Sequence, residues 1–292
     1  MHEKTAKLLA CPVCSSPLTF EGKTSNGRFI NGYFKCSPGH MYQVKEQVGL
    51  LKNAKMSAKE LEWKVDVADE KKYAETRCQY DSYLTQEQKV ATQRMKEKLV
   101  DYVSRSSTES DNMVDIATGM GTFMASLLEK CSADALIIGT DVDEKPLRGL
   151  MNKIMKAGTY PKLSLIVTDA KHLCFGNNVF FTVSSFFGFD NIPKTGLAFK
   201  ETSRVLQHGG RVFFNCLWYR EGSDSMRLAE KYGICEVASE ARLKKTLAQA
   251  GLVLDSVEEA YSGIWPHNPM DLLPVEGDEY KHVIAHARKP RR

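Results

Sequence analysis

Three acidic residues, each placed at the end of an apolar run, carry the chemistry this chain displays most openly. Asp115 sits in Val114-Asp115-Ile116-Ala117-Thr118-Gly119-Met120-Gly121-Thr122-Phe123. Asp141 closes Leu136-Ile137-Ile138-Gly139-Thr140-Asp141, and Asp169 closes Leu163-Ser164-Leu165-Ile166-Val167-Thr168-Asp169 before Ala170. The first stretch predicts a buried strand, a tight glycine turn and the opening of a helix. The other two predict buried strands ending in a carboxylate. Such a turn lets backbone approach a ligand where a Cβ would clash, and a carboxylate on the next strand accepts from ribose hydroxyls. The spacing suits a nucleoside-bearing cofactor. Ala117 in place of a first glycine and an acid after the third strand both disfavour a dinucleotide.

A second constellation lies at the N-terminus. Cys11-Pro12-Val13-Cys14 is followed, after 21 intervening residues, by Cys36-Ser37-Pro38-Gly39-His40. Two knuckles offer three thiolates and one imidazole, the set for a closed tetrahedral Zn²⁺ site that is structural rather than catalytic. Cys11, Cys14, Cys36 and His40 are therefore the candidate ligands. A segment this short has little core of its own, so a metal would supply much of its stability. Cys78, Cys131, Cys174, Cys216 and Cys235 are scattered, as small buried hydrophobes are.

The elements that must position these residues are readable from periodicity. Residues 8–50 are turn-rich with short strands. Residues 51–72 are dense in Lys and Glu and suit an exposed linker or helix. Residues 85–104 have helical spacing, with Val90, Met95, Leu99 and Val103 available to one face. From Met113 strands and helices alternate, which predicts a parallel, doubly wound α/β sheet. A fourth strand falls at Val179–Ser185. Arg204–Phe214 combines a helix end, a glycine break at Gly209-Gly210 and a fifth strand. A helix at Ala241–Ala250 closes on Gly251, and Leu252–Val257 and Tyr280–His286 read as the last two strands.

This succession resembles the class I S-adenosylmethionine-dependent methyltransferases over about residues 85–290. The resemblance implies a Rossmann-like sheet ending in an antiparallel hairpin, with the N-terminal zinc-ribbon-like module set before it. It also implies S-adenosylmethionine as cofactor. Asp115 matches the acid beneath the methionine moiety, and Ala117, Gly119 and Gly121 match the turn. Asp141 matches the acid on the ribose hydroxyls, with Val142 beside adenine. Asp169 and Ala170 match the groups that face the adenine edge. Ser184 stands at the end of the fourth strand, near Ser185, Phe186, Asp190 and Asn191, where a methyl acceptor is expected. An activated sulfonium needs little beyond in-line placement of the acceptor, so a general base is optional. His172, Asp190, Tyr219 and His267 are the candidates. The aromatic segments Trp218–Arg220 and Tyr261–Met270 suit a lid or a pocket wall. The head itself, Cys11–Cys14 with Cys36–Tyr42 and Gly49–Leu51, is similar to the zinc-binding head of the ribosomal RNA guanine-N1 methyltransferases.

The expected organisation is a zinc-binding module at 1–52, a linker or helical cover at 53–84 and a methyltransferase domain at 85–292. Hydrophobic content of 42% and charged content of 26% are ordinary for a globular domain. No apolar run reaches the roughly 18–20 residues of a membrane span, and the first ten residues lack a secretory core, so a cytoplasmic enzyme is expected. The formal charge of +4 resides entirely in residues 1–72, leaving the methyltransferase region neutral. That balance favours a small-molecule acceptor over a polyanion. Two other readings stay open here: an RNA methyltransferase whose head grips RNA, and a non-catalytic binding protein on the same fold. A second copy of the chain also stays open as a partner of the head.

Overall fold

The computed structural model describes residues 1–53, 70–106, 112–132, 135–158 and 162–291. Residues 54–69 of the expected linker lie outside the described residues. The chain builds an 11-stranded sheet. Strands β1 (Thr19–Ser25), β2 (Arg28–Lys35), β3 (Met41–Lys45) and β4 (Val48–Leu50) form an antiparallel meander. Helices α1 (Glu70–Tyr83) and α2 (Gln86–Ser106) follow. Then come β5 (Asn112–Ile116), α3 (Thr122–Lys130), β6 (Leu136–Asp141), α4 (Glu144–Ala157), β7 (Leu163–Val167), β8 (Phe180–Ser185) and α5 (Thr195–Val205). The chain closes with β9 (Leu206–Tyr219), α6 (Asp224–Tyr232), α7 (Glu240–Gln249), β10 (Val253–Ile264) and β11 (Glu279–Arg288).

The strand order is β1-β2-β3-β4-β7-β6-β5-β8-β9-β11-β10. The run from β4 to β9 is parallel, and β9, β11 and β10 pair antiparallel. The direction of winding reverses between β5 and β8, the place where a doubly wound sheet opens a crevice at its carboxyl ends. Along β5, β6 and β9 alternate side chains enter two different cores. Val114, Ile138 and Phe214 join one cluster, and Met113, Ile137 and Phe213 join the other beneath α2, α3 and α4. This two-sided burial is why the parallel strands read as continuous apolar runs.

The head is stitched to this sheet. β4 pairs with β7 at Val48–Leu165, and Leu51 N–H donates to Val167 C=O at 2.9 Å. Leu8, Leu9, Phe34 and Val44 share one core with Phe175, Phe180 and Ile166.

Several expected elements shift. Val90 is 37% exposed, so it is not on the buried face of α2; that face carries Gln88, Met95, Leu99, Val100 and Val103. Gln88 is recruited by a capping box. Its Oε1 accepts from Thr85 N–H while Thr85 Oγ1 accepts from Gln88 N–H, and its Nε2 donates to Tyr280 Oη at 2.8 Å. The glycine pair Gly209-Gly210 does not break β9. It sits inside the strand as an irregularity against β8, pinned by bonds between Gly209, Gly210 and Lys289. β10 runs on to Ile264, so Tyr261–Ile264 is strand rather than loop. Trp265 is 5% exposed and packs edge-on against Tyr280 at 4.9 Å, a core position rather than a lid. Among the described residues, no helix is long and apolar enough to cross a membrane.

Candidate functional site

The turn between β5 and α3 turns three times through the left-handed region, at Ala117 (φ 57°), Gly119 (φ 55°) and Gly121 (φ 78°). At Gly121 a Cβ would meet Leu150 at 2.4 Å, so packing as well as φ requires glycine. At Gly119 none of the described residues lies within 4 Å of the place a Cβ would take. Ala117 tolerates its conformation with a Cβ, at a cost of about 1–2 kcal/mol.

Asp115 lies on β5, 1% exposed. Ser184 Oγ donates to its Oδ1 at 2.7 Å and Thr118 Oγ1 donates to its Oδ2 at 2.8 Å. Burial raises this carboxyl to about 7, opposed by those two hydrogen bonds and reinforced by the nearby Asp141. Asp141, at the end of β6, has both oxygens engaged by backbone. Gly119 N–H donates to Oδ2 at 2.8 Å and Asp143 N–H donates to Oδ1 at 3.0 Å. Burial raises Asp141 as well, against the pull of the bonds from Asp143 and Gly119. Thr168 N–H donates to Asp141 C=O at 2.9 Å, which ties the end of β7 to that of β6. Asp169 lies two residues past β7, where its Oδ1 accepts from Lys171 N–H at 2.8 Å and its C=O accepts from His172 N–H. Val142 is exposed and Ala170 half-buried.

The structure thus brings Asp115, Gly119, Asp141 and Ser184 into one bonded constellation at the carboxyl ends of β5, β6 and β8. Sequence reasoning missed Thr118 and Thr140, which lock it. Thr140 N–H donates to Thr118 Oγ1, and Thr140 Oγ1 donates to Asp115 C=O at 3.0 Å. A threonine in a turn, like Thr118, or in a strand, like Thr140, carries no signal in the sequence that separates it from ordinary packing.

The four candidate bases are dispersed. His172 is exposed beside Asp169. His267 is exposed on the loop after the edge strand β10, bonded to Glu276 at 2.7 Å. Tyr219 and Asp190 are buried, and among the described residues neither carboxyl oxygen of Asp190 has a hydrogen-bond partner. Burial raises Asp190 to about 7. A separate cleft of about 460 Å³, lined by Arg211, Asp255, His286, Arg288 and Arg291, lies at the opposite edge, where β9 begins.

In the head, Cys11, Cys14, Cys36 and His40 place one ligand atom each within 4.8 Å of one another. Cys14 and Cys36 Sγ are 3.7 Å apart, and His40 Nδ1 is 3.3 Å from Cys36 Sγ and 3.6 Å from Cys11 Sγ. Two thiolates at about 2.3 Å from a tetrahedral zinc are about 3.8 Å apart, so the donor set fits that ion. The knuckle turns are closed by Ser15 N–H to Cys11 C=O and Gly39 N–H to Cys36 C=O, both 2.8 Å.

Residues 85–255 match the sequence pattern of the ubiE/COQ5 methyltransferase family, more than half of the chain. This chain belongs to that family. It is an S-adenosylmethionine-dependent methyltransferase with an α/β Rossmann-like fold. The match begins after the Cys/His head, which the family pattern does not include. Among its relatives is the ubiquinone/menaquinone biosynthesis C-methyltransferase UbiE of Rickettsia bellii (strain OSU 85-389). It is 25% identical over 190 residues, which cover 64% of this chain and 71% of that protein. A putative methyltransferase from Bacillus halodurans C-125 superposes with a TM-score of 0.54 at 18% identity, covering 67% of this chain and 98% of its own. Geranyl diphosphate C-methyltransferase from Streptomyces coelicolor A3(2) superposes at 0.52 with 14% identity, covering 66% and 78%. At these identities the structural likeness concerns the fold.

Proposed function

We propose that this methyltransferase transfers its methyl group to a small-molecule acceptor, at carbon, as the names of its relatives suggest for them. The observation that carries the methyltransferase reading is the bond from Gly119 N–H to the Asp141 carboxylate at the carboxyl ends of β5 and β6, with no described residue within 4 Å of where a Gly119 Cβ would stand. When bound, S-adenosylmethionine supplies an electrophilic methyl on a sulfonium. Asp141, preorganised by two backbone donors, would accept the ribose hydroxyls. Asp169 and Ala170 would face the adenine edge, and Val142 its ring. Asp115 would lie under the methionine end, held by Ser184 and Thr118. Ala117, Gly119 and Gly121 would shape the cradle.

Cys11, Cys14, Cys36 and His40 would hold one Zn²⁺, which supplies four closed bonds and no open position. These residues would fix the fold of a module at 1–52, with 53–84 as connector and 85–292 as the methyltransferase domain. A small or neutral acceptor also accords with the neutral charge of residues 73–292. The test is transfer of tritiated methyl into cell extract separated into lipid-soluble metabolites, RNA and protein. Label in the metabolite fraction is expected. Label in ribosomal RNA would overturn the acceptor class, and binding of S-adenosylmethionine without any transfer would favour a non-catalytic binding protein.

A further inference from the structure

The cleft of about 460 Å³ at the start of β9 lies away from the cofactor crevice and gathers positive charge. Arg211 on β9 stands directly opposite Arg288 on β11. Directly opposed residues of an antiparallel pair share a face with Cβ atoms about 4.5–5.5 Å apart, and like charges placed so repel. A third guanidinium comes from Arg291, which lies across Gly209. There φ is 79°, and a Cβ would stand 3.4 Å from Arg291 Cγ and 3.5 Å from its Nε. Glycine therefore leaves the path along which this side chain runs. The segment that carries Arg291 is tied down. Gly209 N–H donates to Lys289 C=O at 2.9 Å, and Lys289 N–H donates to Gly210 C=O at 3.0 Å. Lys289 Nζ donates to the carbonyls of Ser203 and Leu206 at 2.7 and 2.9 Å, and His208 Nδ1 donates to Pro290 C=O at 3.1 Å.

Among the residues that line the cleft, one carboxylate answers these three cations. The register of β10 against β11 shifts between Leu254 and Ser256, and Asp255 is the extra residue. A bulge of this kind re-aims a side chain. Asp255 Oδ1 accepts from Arg288 Nε at 2.7 Å. Among the described residues, Arg211 and Arg291 have no hydrogen bond from the side chain and no ion pair. Two guanidinium forks are thus left without an anion. One wall of the cleft is the imidazole of His286, which packs on Phe213 at 3.9 Å and beside Tyr102 at 5.3 Å. Burial, and then the charge of Arg211, lower this imidazole below its ordinary range, against an opposing pull from Asp255.

We infer that this cleft is a second ligand site, built for the phosphomonoester group of a small soluble molecule, with Arg211 and Arg291 donating to its oxygens and Arg288 as the third donor. A guanidinium fork bonds two phosphate oxygens at once. A phosphomonoester offers three oxygens and a charge of about −1.5 to −2 at pH 7, which matches two free forks. A carboxylate or a sulfate ester brings one charge and leaves one guanidinium uncompensated. A metal cation is repelled. Clefts that hold small molecules span about 300–1,000 Å³. At about 460 Å³ this one has room for an organic body beyond the phosphate, along His286. The site stands where β9 begins, whereas Asp141 and Ser184 stand at the carboxyl ends of β6 and β8. Occupancy is therefore independent of the methyltransferase reading above.

The test titrates the zinc-loaded full chain, at pH 8 and low salt, with phenyl phosphate, phenyl sulfate and inorganic phosphate. Wild type is expected to bind phenyl phosphate about tenfold or more tightly than phenyl sulfate, which has the same body and one charge fewer. It is also expected to prefer phenyl phosphate to inorganic phosphate. Arg211→Gln and Arg291→Gln are each expected to weaken phenyl phosphate about tenfold or more, with the fold unchanged by circular dichroism. Asp255→Asn is expected to tighten it, because Arg288 is then released. Arg94→Gln removes an exposed charge on α2 and is expected to change nothing. In wild type the His286 imidazole is expected to titrate at higher pH once phenyl phosphate offsets Arg211, a shift followed by NMR. Equal binding of phenyl phosphate and phenyl sulfate, binding of neither, or an equal loss in Arg94→Gln would overturn the site. Vesicles containing phosphatidic acid are a separate arm. Their capture through Arg211 and Arg291, with no binding of phenyl phosphate, would give the phosphomonoester a lipid source and overturn the soluble ligand.

Discussion

Gly119 and Asp141 are joined by a hydrogen bond of 2.8 Å from the glycine N–H to the carboxylate Oδ2, across the gap between β5 and β6. The glycine that must leave room for a ligand thus also aims the acid that would grip it. Asp143 N–H holds the other oxygen at 3.0 Å, so the carboxylate is oriented before any ligand arrives. Preorganisation of this kind spares the ordering cost that binding otherwise incurs.

Asp141→Ala is expected to weaken S-adenosylmethionine binding by about 1.5–3 kcal/mol, the range for hydrogen bonds to a charged group. Titration calorimetry measures this directly. Unchanged affinity would remove Asp141 from the site. Gly119→Val is expected to abolish binding, because a branched side chain opposes φ 55° and takes up room that none of the described residues fills.

Asp190 predicts a pH dependence of stability. Its carboxyl is raised from 3.8 to about 7 by burial. Between those values the folded protein keeps a proton that the unfolded chain has released. Its contribution is therefore full below about pH 4 and disappears as pH rises through 7. Asp115 is raised to a similar value and acts in the same direction. Asp190→Asn is expected to lose less stability than wild type between pH 5 and pH 8, by on the order of 2 kcal/mol. Urea melts at the two pH values check it, and parallel losses would show that Asp190 is ionised and solvated in the folded state.

One zinc per chain is expected by elemental analysis of protein purified without chelator, and none in Cys36→Ser. The head shares a core with Phe175 and Phe180, and β4 is hydrogen-bonded to β7. Removal of the metal is therefore expected to lower the melting midpoint in a single transition. Two separate transitions on calorimetry would instead show a module that unfolds on its own.

Trp265→Ala is expected to cost about 3 kcal/mol or more in folding stability, the range for truncating a buried aromatic. Trp265 shares a cluster with Tyr219, Met226 and Tyr280. Denaturant unfolding measures the loss. A variant as stable as wild type but slow in methyl transfer would return Trp265 to the role of a lid.

Much of the turn-and-strand framework around Asp115, Gly119 and Asp141 was legible in the chain because its determinants are local. The apolar runs Met113–Ile116, Leu136–Thr140 and Leu163–Val167 are buried on both faces, and strands of that kind announce themselves without partners. Asp115 and Asp141 lie within or at the end of those strands, and Gly119 follows on a turn whose φ values depend on a few neighbouring residues. The Cys11–Cys14 and Cys36–His40 knuckles are legible for the same reason, since each pair of ligands lies on one turn. What the residues could not reveal was set by register and packing between distant segments. Asn215 and His282 lie 67 positions apart and share a face only because β9 and β11 pair as Leu217 with His282. The buried placement of Gln88 depends on Tyr280, 192 residues away. Trp265 joins the core because β10 continues to Ile264, and the head joins the sheet because β4 finds β7. Local chemistry marked where a cofactor and a metal could bind, whereas the buried places of Gln88, Asn215 and Trp265 come from contacts that only the closed sheet creates.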